Sequence, residues 1–254
     1  MNFEPKYLKY KDKYLSLKKD KLEQDAKKND IFIIGIAGAS GCGKSYFAEK
    51  IRDELKLIYK KENQVEIISC DNYYKSYVNP VSGKNEISPP DFNWDVPEVL
   101  DLELLSNQLL EYKNDGLVLQ VPKYNFKTSQ RDGITTKIFY PNTKILIIEG
   151  LYILYHQKLR DIFDLKIFTL ADQEICLIRR LTRDLEHRKP DNVTIEDFSN
   201  QTISVYKKNV RPSYERYVEP TREYADILVY TDVNYAKSKI FDIIKSYTIN
   251  KLKI

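Results

Sequence analysis

The sequence predicts an α/β fold in which a central parallel sheet is flanked by helices. Three observations support this prediction: an apolar stretch at 31–37 leads into a glycine-rich loop, a helical pattern follows the loop, and further apolar stretches alternate with helical patterns. Strands separated by helices form parallel sheets that are covered on both faces, with right-handed crossovers. At 254 residues, the chain is long enough to bury a full core.

The loop after the first strand carries the clearest chemical signature, G-x-x-x-x-G-K-[ST]. Its glycines let successive backbone N–H groups converge on one anion, and the next helix adds its positive end. In this pattern Lys44 contacts the β- and γ-phosphates and the Ser45 hydroxyl binds Mg²⁺. A glycine-rich turn without a ligand is the alternative, but the strand before the loop and the helical stripe after it (Phe47, Ile51, Leu55, Ile58) favour a nucleotide site. The predicted nucleotide-binding residues of the loop are Gly38, Ala39, Ser40, Gly41, Cys42, Gly43, Lys44 and Ser45.

The other predicted elements follow in chain order. A helix over 44–60 precedes a strand at 65–69, and a helix over 97–113 begins after Asp95, which is a favourable N-cap, with Pro97 in its first turn. Segments 117–122 and 134–140, joined by a polar loop, predict a hairpin. The remaining predictions are strands at 144–148, 165–170 and 226–230, helices at 172–187 and from about 235, and helical patterns over 194–217.

Two carboxylates lie where predicted strands end. In a parallel sheet, ligands bind beyond the carboxyl ends of the strands. Glu149 follows the strand at 144–148, where it would hold Mg²⁺ directly or through water. Asp71 follows the strand at 65–69, where it would accept the proton of an attacking hydroxyl. The alternative for Glu149 is a surface acid without a ligand. The alternatives for Asp71 are that it only binds Mg²⁺ or that it begins a turn.

Composition limits the function classes. The N-terminal residues 1–30 hold nine lysines and six acids and contribute +3 of the net charge of +4, whereas a nucleic-acid binder usually shows a larger and more concentrated basic excess. We interpret them as an appendage with a helical stripe. Three scattered cysteines and two histidines disfavour disulfides and a zinc site. The chain shows no signal peptide and no run of 18 apolar residues, so we expect a cytoplasmic protein without a membrane partner.

Several motifs in one order resemble the uridine (uridine–cytidine) kinases, a branch of the P-loop kinases. The resemblance runs from about 31 to 244. The motifs that support it are Asp71-Asn-Tyr-Tyr-Lys75, Phe92-Asn-Trp-Asp-Val-Pro97, Pro122-Lys-Tyr-Asn-Phe126 through Arg131, Ile148-Glu-Gly150, Arg179-Arg-Leu-Thr-Arg-Asp-Leu-Glu-His-Arg188, Val210-Arg-Pro212 through Pro220-Thr221, and Tyr224-Ala-Asp226. The resemblance implies a P-loop kinase domain over 31–254 with a small substrate hairpin at about 117–140 and a lid helix at about 178–192.

The resemblance also implies roles for individual residues. Asp71 would be the base that acts on the ribose 5′-hydroxyl, and Asp95 would bind the ribose 2′- and 3′-hydroxyls. Aromatic side chains would wall the nucleoside, where stacking contributes about 1–3 kcal/mol per base. These are Tyr74, Trp94, Tyr124 and Phe126. The lid arginines would close over ATP and ribose. Arg180 and Arg183 would be catalytic, Arg183 and Arg188 would bind ATP, and Arg180 would also bind the substrate; a solvated helix face is the alternative for this cluster. The metal ligands would be Ser45, Glu149 and Asp71.

The chain departs from the family pattern in the base-recognition and lid residues. Ser129 stands where the family has a histidine and Val205 where it has a glutamine; Pro190 replaces a lid arginine, with Lys189 as a substitute. Asn125 replaces an acid and is not expected to touch substrate. Because polar base readers give the strongest discrimination, we expect altered or relaxed base choice.

The expected function is phosphorylation of a ribonucleoside, uridine or cytidine, with ATP (or GTP) and Mg²⁺. The alternatives are a related small-metabolite kinase, for example one acting on nicotinamide riboside, and a nucleotide-binding regulator without turnover. Nucleic-acid binding through residues 1–30 is a third class. The expected partners are a small-molecule nucleoside and further copies of the chain, since the resemblance implies a homo-oligomer, a tetramer.

Overall fold

The computed structural model describes residues 31–57, 64–89, 92–115, 119–137, 143–231 and 239–252. These residues form seven strands, which are β1 (Phe32–Gly38), β2 (Val65–Ser69), β3 (Leu119–Asn125), β4 (Gln130–Lys137), β5 (Ile145–Glu149), β6 (Leu165–Leu170) and β7 (Ile227–Tyr230). Five of them make a parallel sheet in the order β2-β5-β1-β6-β7, and β3 and β4 make a separate antiparallel hairpin.

Helices cover both faces of the parallel sheet. The described α-helices of six residues or more are α1 (Lys44–Lys56), α2 (Leu102–Asp115), α3 (Gln157–Ile162), α4 (Gln173–His187), α5 (Ile195–Val205) and α6 (Ile240–Leu252). Short 3₁₀ helices occur at Cys70–Tyr73 and Pro97–Val99. After α5 the chain stays helical through π turns at Tyr206–Val210 and Tyr214–Val218, an α turn at Arg211–Ser213 and a 3₁₀ helix at Glu219–Tyr224.

The core forms because both faces of the strands are apolar. Successive side chains of a strand point to opposite faces of the sheet. Accordingly, Ile34 and Ile36 of β1 are fully buried in the layer that holds α1 and α6, whereas Ile33 lies in the other layer, with α2 and α3. The α1 stripe Phe47, Ile51 and Leu55 is buried as predicted. The predicted α/β fold with a central parallel sheet flanked by helices is therefore confirmed.

The start of α2 corrects one prediction. Asp95 does not cap a helix over 97–113: Pro97 begins only a 3₁₀ turn, and α2 starts at Leu102. The cap is Asp101, whose Oδ1 accepts a hydrogen bond from the Leu104 N–H at 3.2 Å. Pro97 supports either kind of first turn, so its presence did not distinguish them.

The hairpin also differs from its predicted bounds. The strands extend over Leu119–Asn125 and Gln130–Lys137, so the turn is residues 126–129 and most of the predicted polar loop belongs to strands. Arg131 of β4 explains the extension, because its guanidinium donates to the carbonyls of Tyr73 and Tyr74 at 2.9 and 2.8 Å and anchors the strand to the segment after β2.

Some predictions fall outside the described residues. These are the appendage at 1–30, the end of the helix predicted over 44–60, part of the outer hairpin and the start of the last helix. Across the described ranges, no helix combines the length and apolar character that a membrane crossing requires.

Candidate active site

The glycine-rich loop connects β1 to α1 at the carboxyl end of the sheet. Gly41 and Gly43 have φ of +81° and +89°, a left-handed region that favours glycine. A Cβ on Gly41 would also collide with the Cys176 carbonyl of α4, so close packing and backbone conformation both require glycine there. The Lys44 ammonium bends back over the loop and donates to the Ala39 carbonyl at 2.9 Å. The loop therefore holds a cation at the N-terminus of α1, which suits a phosphate group.

Asp71 and Glu149 lie beside this loop because their strands are neighbours. Glu149 is the last residue of β5 and pairs in register with Ile36 of β1 and Ser69 of β2. Asp71 follows two residues after Ser69, whose Oγ accepts a hydrogen bond from the Asp71 N–H at 3.3 Å. Lys44, Asp71 and Glu149 all line one cleft of about 950 Å³.

The negative charge of Asp71 acts on the neighbouring Glu149. Burial, followed by the negative charge of Asp71, raises the pKa of Glu149 above its usual value. The Lys44 ammonium and hydrogen bonds with Ser69 and Ser45 act in the opposite direction. The cleft therefore brings together the buried Glu149, the half-buried Asp71 and the exposed Ser45 hydroxyl, all hard oxygen donors. Such donors, few in number and next to a phosphate site, suit Mg²⁺.

Aromatic side chains form the opposite side of the cleft. Tyr74 contacts the rings of Trp94, Tyr124 and Phe126 with centroids 5.3–5.8 Å apart, in edge or tilted geometry. The hairpin supplies Tyr124 and Phe126, and the segments after β2 and before α2 supply the other two. Phe126 is 49% exposed at the cleft, although it is apolar. The wall therefore offers aromatic faces to a flat ligand.

Asp95 lies between this wall and α4. Its side chain is buried, and its Oδ1 is 3.8 Å from an Arg180 guanidinium nitrogen. Burial raises the pKa of Asp95, while the positive charges of Arg180 and Arg188 oppose the rise. A buried carboxylate whose ion-pair partner lies 3.8 Å away keeps lone pairs that can accept hydrogen bonds from ligand hydroxyls.

The arginines of α4 surround one buried acid, Asp184. Arg183 donates to Asp184 Oδ1 at 2.8 and 3.0 Å, and Arg180 and Arg188 place their Nε atoms 3.5 and 3.4 Å from its carboxylate. Arg180 also donates to Ser40 Oγ of the glycine-rich loop at 3.0 Å. The helix predicted over 172–187 is thus confirmed, and it presents a fixed set of cations to the cleft.

Most of the predicted site residues line this single cleft. Gly38, Ala39 and Cys42 do not; they are buried beneath the loop. The predicted site residues that line it are Ser40, Gly41, Gly43, Lys44, Ser45, Asp71, Tyr74, Trp94, Asp95, Tyr124, Phe126, Ser129, Glu149, Arg180, Arg183 and Arg188.

One polar residue, Lys189, differs from its expected placement. Lys189 does not line the cleft, because its ammonium donates to the carbonyls of Pro190 and Val193, so it does not replace the missing lid arginine. Asn125 lines the cleft, where its side chain donates to Asp132 and accepts from the Lys127 N–H, and its expected lack of substrate contact stays a prediction. Val205, where the family pattern has a glutamine, also lines it.

Sequence reasoning missed several cleft residues. Phe92 packs against Trp94 at 4.7 Å, and Ser88 bonds to Trp94 and to Ser129. Phe92 begins the motif that runs to Pro97, so its aromatic character could have predicted a place in the cleft. Ser88 lies on a loop without periodicity, where nothing in the sequence distinguishes it from other serines.

A glycine-rich loop, two strand-end carboxylates and an arginine-bearing helix around one cleft define a P-loop phosphotransferase. Comparison with known proteins agrees, since the family model described as "Phosphoribulokinase / Uridine kinase family" matches residues 33–234. The chain belongs to this family, and the predicted resemblance is confirmed.

Curated relatives cover most of the chain. It is 32% identical to the uridine kinase of Chlamydia pneumoniae, over 88% of this chain and 91% of that protein. It is 38% identical to the uridine kinase of Shewanella denitrificans, over 78% of this chain and 86% of that protein. The comparisons favour a kinase of this type over the alternatives considered from the sequence.

Solved structures support the fold. Phosphoribulokinase from Rhodobacter spheroides matches with a TM-score of 0.52 and 16% identity, covering 80% of this chain and 70% of that chain. At this identity the similarity concerns the fold alone, and the predicted P-loop kinase fold is confirmed.

Proposed function

We propose that this enzyme transfers the γ-phosphoryl group of ATP to the 5′-hydroxyl of a pyrimidine ribonucleoside, uridine or cytidine. One observation carries the proposal: Lys44, Asp71 and Glu149 share a cleft with an aromatic wall and the buried Asp95. The cleft thus joins a phosphate-binding end to an end suited to a flat base and a polyhydroxylated sugar. The names of the curated relatives support the same conclusion.

Asp71 is the proposed general base. It lies two residues after β2 and lines the cleft together with Lys44, which supports a position beside the transferable phosphate. There its carboxylate would accept the proton of the 5′-hydroxyl as that oxygen attacks phosphorus, a role that contributes about 10²–10⁴-fold to rate. Lys44, Arg180 and Arg183 would stabilise the negative charge on the phosphoryl oxygens, which is the larger part of catalysis in phosphoryl transfer.

Asp95 and the aromatic wall would bind the nucleoside. The Asp95 carboxylate would accept hydrogen bonds from the ribose 2′- and 3′-hydroxyls, and Tyr74, Trp94, Tyr124 and Phe126 would stack on or border the base. A deoxyribonucleoside lacks one of the two hydroxyls and leaves a buried carboxylate lone pair unpaired, so ribonucleosides should be preferred.

Ser45, Glu149 and Asp71 would hold Mg²⁺, and the oxygen donors around Glu149 fit that ion. When bound, the ion would neutralise charge on the phosphate oxygens. Arg183 and Arg188 would bind ATP from the α4 side; GTP has the same triphosphate and is a candidate second donor.

The proposed base choice is relaxed relative to the family pattern. Ser129 and Val205 line the cleft at the positions where the pattern has a histidine and a glutamine. A hydroxyl and an aliphatic side chain supply fewer fixed hydrogen bonds to the base. Uridine and cytidine should therefore be used at comparable efficiency.

The remaining parts of the proposal concern location and assembly. The three cysteines are buried and none of them is in a disulfide, which supports a reducing, cytoplasmic compartment. The family resemblance supports a homo-oligomer, specifically a tetramer. Light scattering would test this by measuring the molar mass in solution. We also propose that residues 1–30 are an appendage separate from the kinase domain over 31–254.

The test is a nucleoside panel with ATP and Mg²⁺, with ADP and nucleoside monophosphate measured together. Asp71→Asn should lower kcat by about 10²-fold or more while ATP still binds in calorimetry. The matched control is Asp53→Asn, an exposed aspartate of α1 that pairs with Arg52 and does not line the cleft. ATP binding by the unaltered protein without turnover of any nucleoside would refute the proposal and leave a nucleotide-binding regulator.

A further inference from the structure

Ser88 is a half-buried cleft residue to which the proposed function assigns no role. The loop that carries it is held against the hairpin by Gln130, whose side-chain amide donates to the carbonyls of Tyr77 and Glu86 at 3.0 and 2.7 Å. The Tyr77 N–H also donates to the Ser129 carbonyl at 2.9 Å. The position of Ser88 is therefore set by the same hairpin that carries the aromatic wall.

Ser88 belongs to a chain of hydrogen-bonding groups on that wall. The Trp94 indole N–H donates to Ser88 Oγ at 3.0 Å, and Ser88 Oγ lies 3.0 Å from Ser129 Oγ. Ser129 is the last residue of the hairpin turn. It is buried, lines the cleft and has a left-handed backbone with a φ of +56°. Tyr124 lines the cleft beside this pair, and burial raises the pKa of its phenol to about 12.

The proton count of this chain leaves groups for a ligand. An indole N–H can only donate, so Ser88 must accept there. The Ser88 and Ser129 hydroxyls carry two protons, and the bond between them uses one, whichever way each hydroxyl points. One O–H therefore stays available to donate, and unused lone pairs stay available to accept. Such a chain adapts its polarity by rotating hydroxyl hydrogens.

This adaptability matters where uracil and cytosine differ. Uracil carries an acceptor oxygen at position 4 of the ring, whereas cytosine carries a donor amino group there. A fixed donor or a fixed acceptor would suit only one of them. A pair of hydroxyls oriented by an indole suits both.

We propose that Ser88, oriented by Trp94 and paired with Ser129, is a specificity-determining residue that bonds the 4-substituent of the pyrimidine and admits both uridine and cytidine. The proposal rests on the proposed nucleoside kinase function. It assigns base recognition to a loop serine outside the motifs that carry the family resemblance.

The test compares Ser88→Ala with Ser88→Thr, which keeps the hydroxyl, and with Ser82→Ala, an exposed serine of the same loop that does not line the cleft. Steady-state kinetics would use uridine, cytidine and the riboside of 2-pyrimidinone, which lacks a 4-substituent. Ser88→Ala should lower kcat/KM about 3- to 10-fold for uridine and cytidine, mainly through KM, as expected for one hydrogen bond. It should leave kcat/KM for the 2-pyrimidinone riboside within about twofold, since that ligand lacks the bonded group.

The outcomes separate this inference from the function on which it rests. Suppose the unaltered enzyme phosphorylates uridine and cytidine, and Ser88→Ala has the same kcat/KM for them as Ser82→Ala. That result would overturn the inference about Ser88 and leave the proposed function standing. An equal loss with the 2-pyrimidinone riboside would also overturn it, because Ser88 would then only support the wall. Failure of Ser88→Thr to restore activity for uridine and cytidine would count against it as well. If the unaltered enzyme phosphorylates no nucleoside, the proposed function itself fails.

Discussion

Neutralising Asp184 should disable the arginine set of α4 without removing any arginine. The Asp184 side chain is 6% exposed and lies within 4 Å of the guanidinium groups of Arg180, Arg183 and Arg188. In Asp184→Asn the side chain keeps its size and one carbonyl oxygen but loses its charge. Three cations on one helix face then lose the group that orients them.

The expected magnitude follows from the exposure of each pair. The Arg180 side chain is 13% exposed, so its interaction with Asp184 is sheltered, whereas Arg183 and Arg188 are 40% and 38% exposed and screened by water. A sheltered charge-assisted interaction contributes about 2 kcal/mol and each exposed pair about 0.5 kcal/mol. If this positioning is used in the transition state, the sum of about 3 kcal/mol lowers kcat/KM by about 100-fold.

Steady-state kinetics with separate kcat and KM values would check this prediction, with Glu186→Gln as the control. Glu186 is an exposed acid on the same helix that pairs with His187 and does not line the cleft. Most of the loss should fall on kcat, because the arginines act on charge that develops at the phosphoryl group. Retention of kcat/KM within threefold in a folded Asp184→Asn protein would refute the reasoning.

Three further predictions concern stability and substrate binding. Burial raises the folded-state pKa of Asp95 above the value of 3.8 that an unfolded aspartate has, so the folded protein binds the proton more readily and loses stability as pH rises through that window. Asp95→Asn should therefore raise the melting temperature at pH 7, with the gain shrinking as pH falls toward 4; a gain that grows at low pH would contradict this sign. Arg131→Ala removes the bonds to the Tyr73 and Tyr74 carbonyls, so the nucleoside KM should rise about 10-fold and the ATP KM much less, and an equal rise in both would count against an anchoring role. Gly41→Ala should abolish ATP binding in calorimetry, because a left-handed backbone costs an alanine about 1–2 kcal/mol and its Cβ meets the Cys176 carbonyl; unchanged affinity would show that the loop adjusts.

The parts of the fold that were predictable from sequence are those with strong local patterns. β1, the glycine-rich loop and α1 were predictable because apolar periodicity and glycine chemistry act over a few residues. The strand-end positions of Asp71 and Glu149 were predictable because the order of parallel strands brings their carboxyl ends to one edge.

Other features depend on contacts between distant segments. Asp95 resembled an N-cap because local sequence does not show that Pro97 begins a 3₁₀ turn and that Asp101 caps α2. Lys189 resembled a substitute for a lid arginine, yet nearby carbonyls bind its ammonium. Ser88 gave no signal, since its role depends on where Trp94 and Ser129 lie in three dimensions.

The cation–π contact between Arg188 and Phe126 has a consequence for protein engineering. The guanidinium of Arg188, the residue directly after α4, lies 4.9 Å from the centre of the Phe126 ring, so the end of the arginine-bearing helix contacts the hairpin that carries part of the aromatic wall. Exchanging the hairpin turn to alter substrate preference would therefore also disturb the end of α4. Successful redesign requires the two positions to be changed as a pair, and their substitutions should show epistasis.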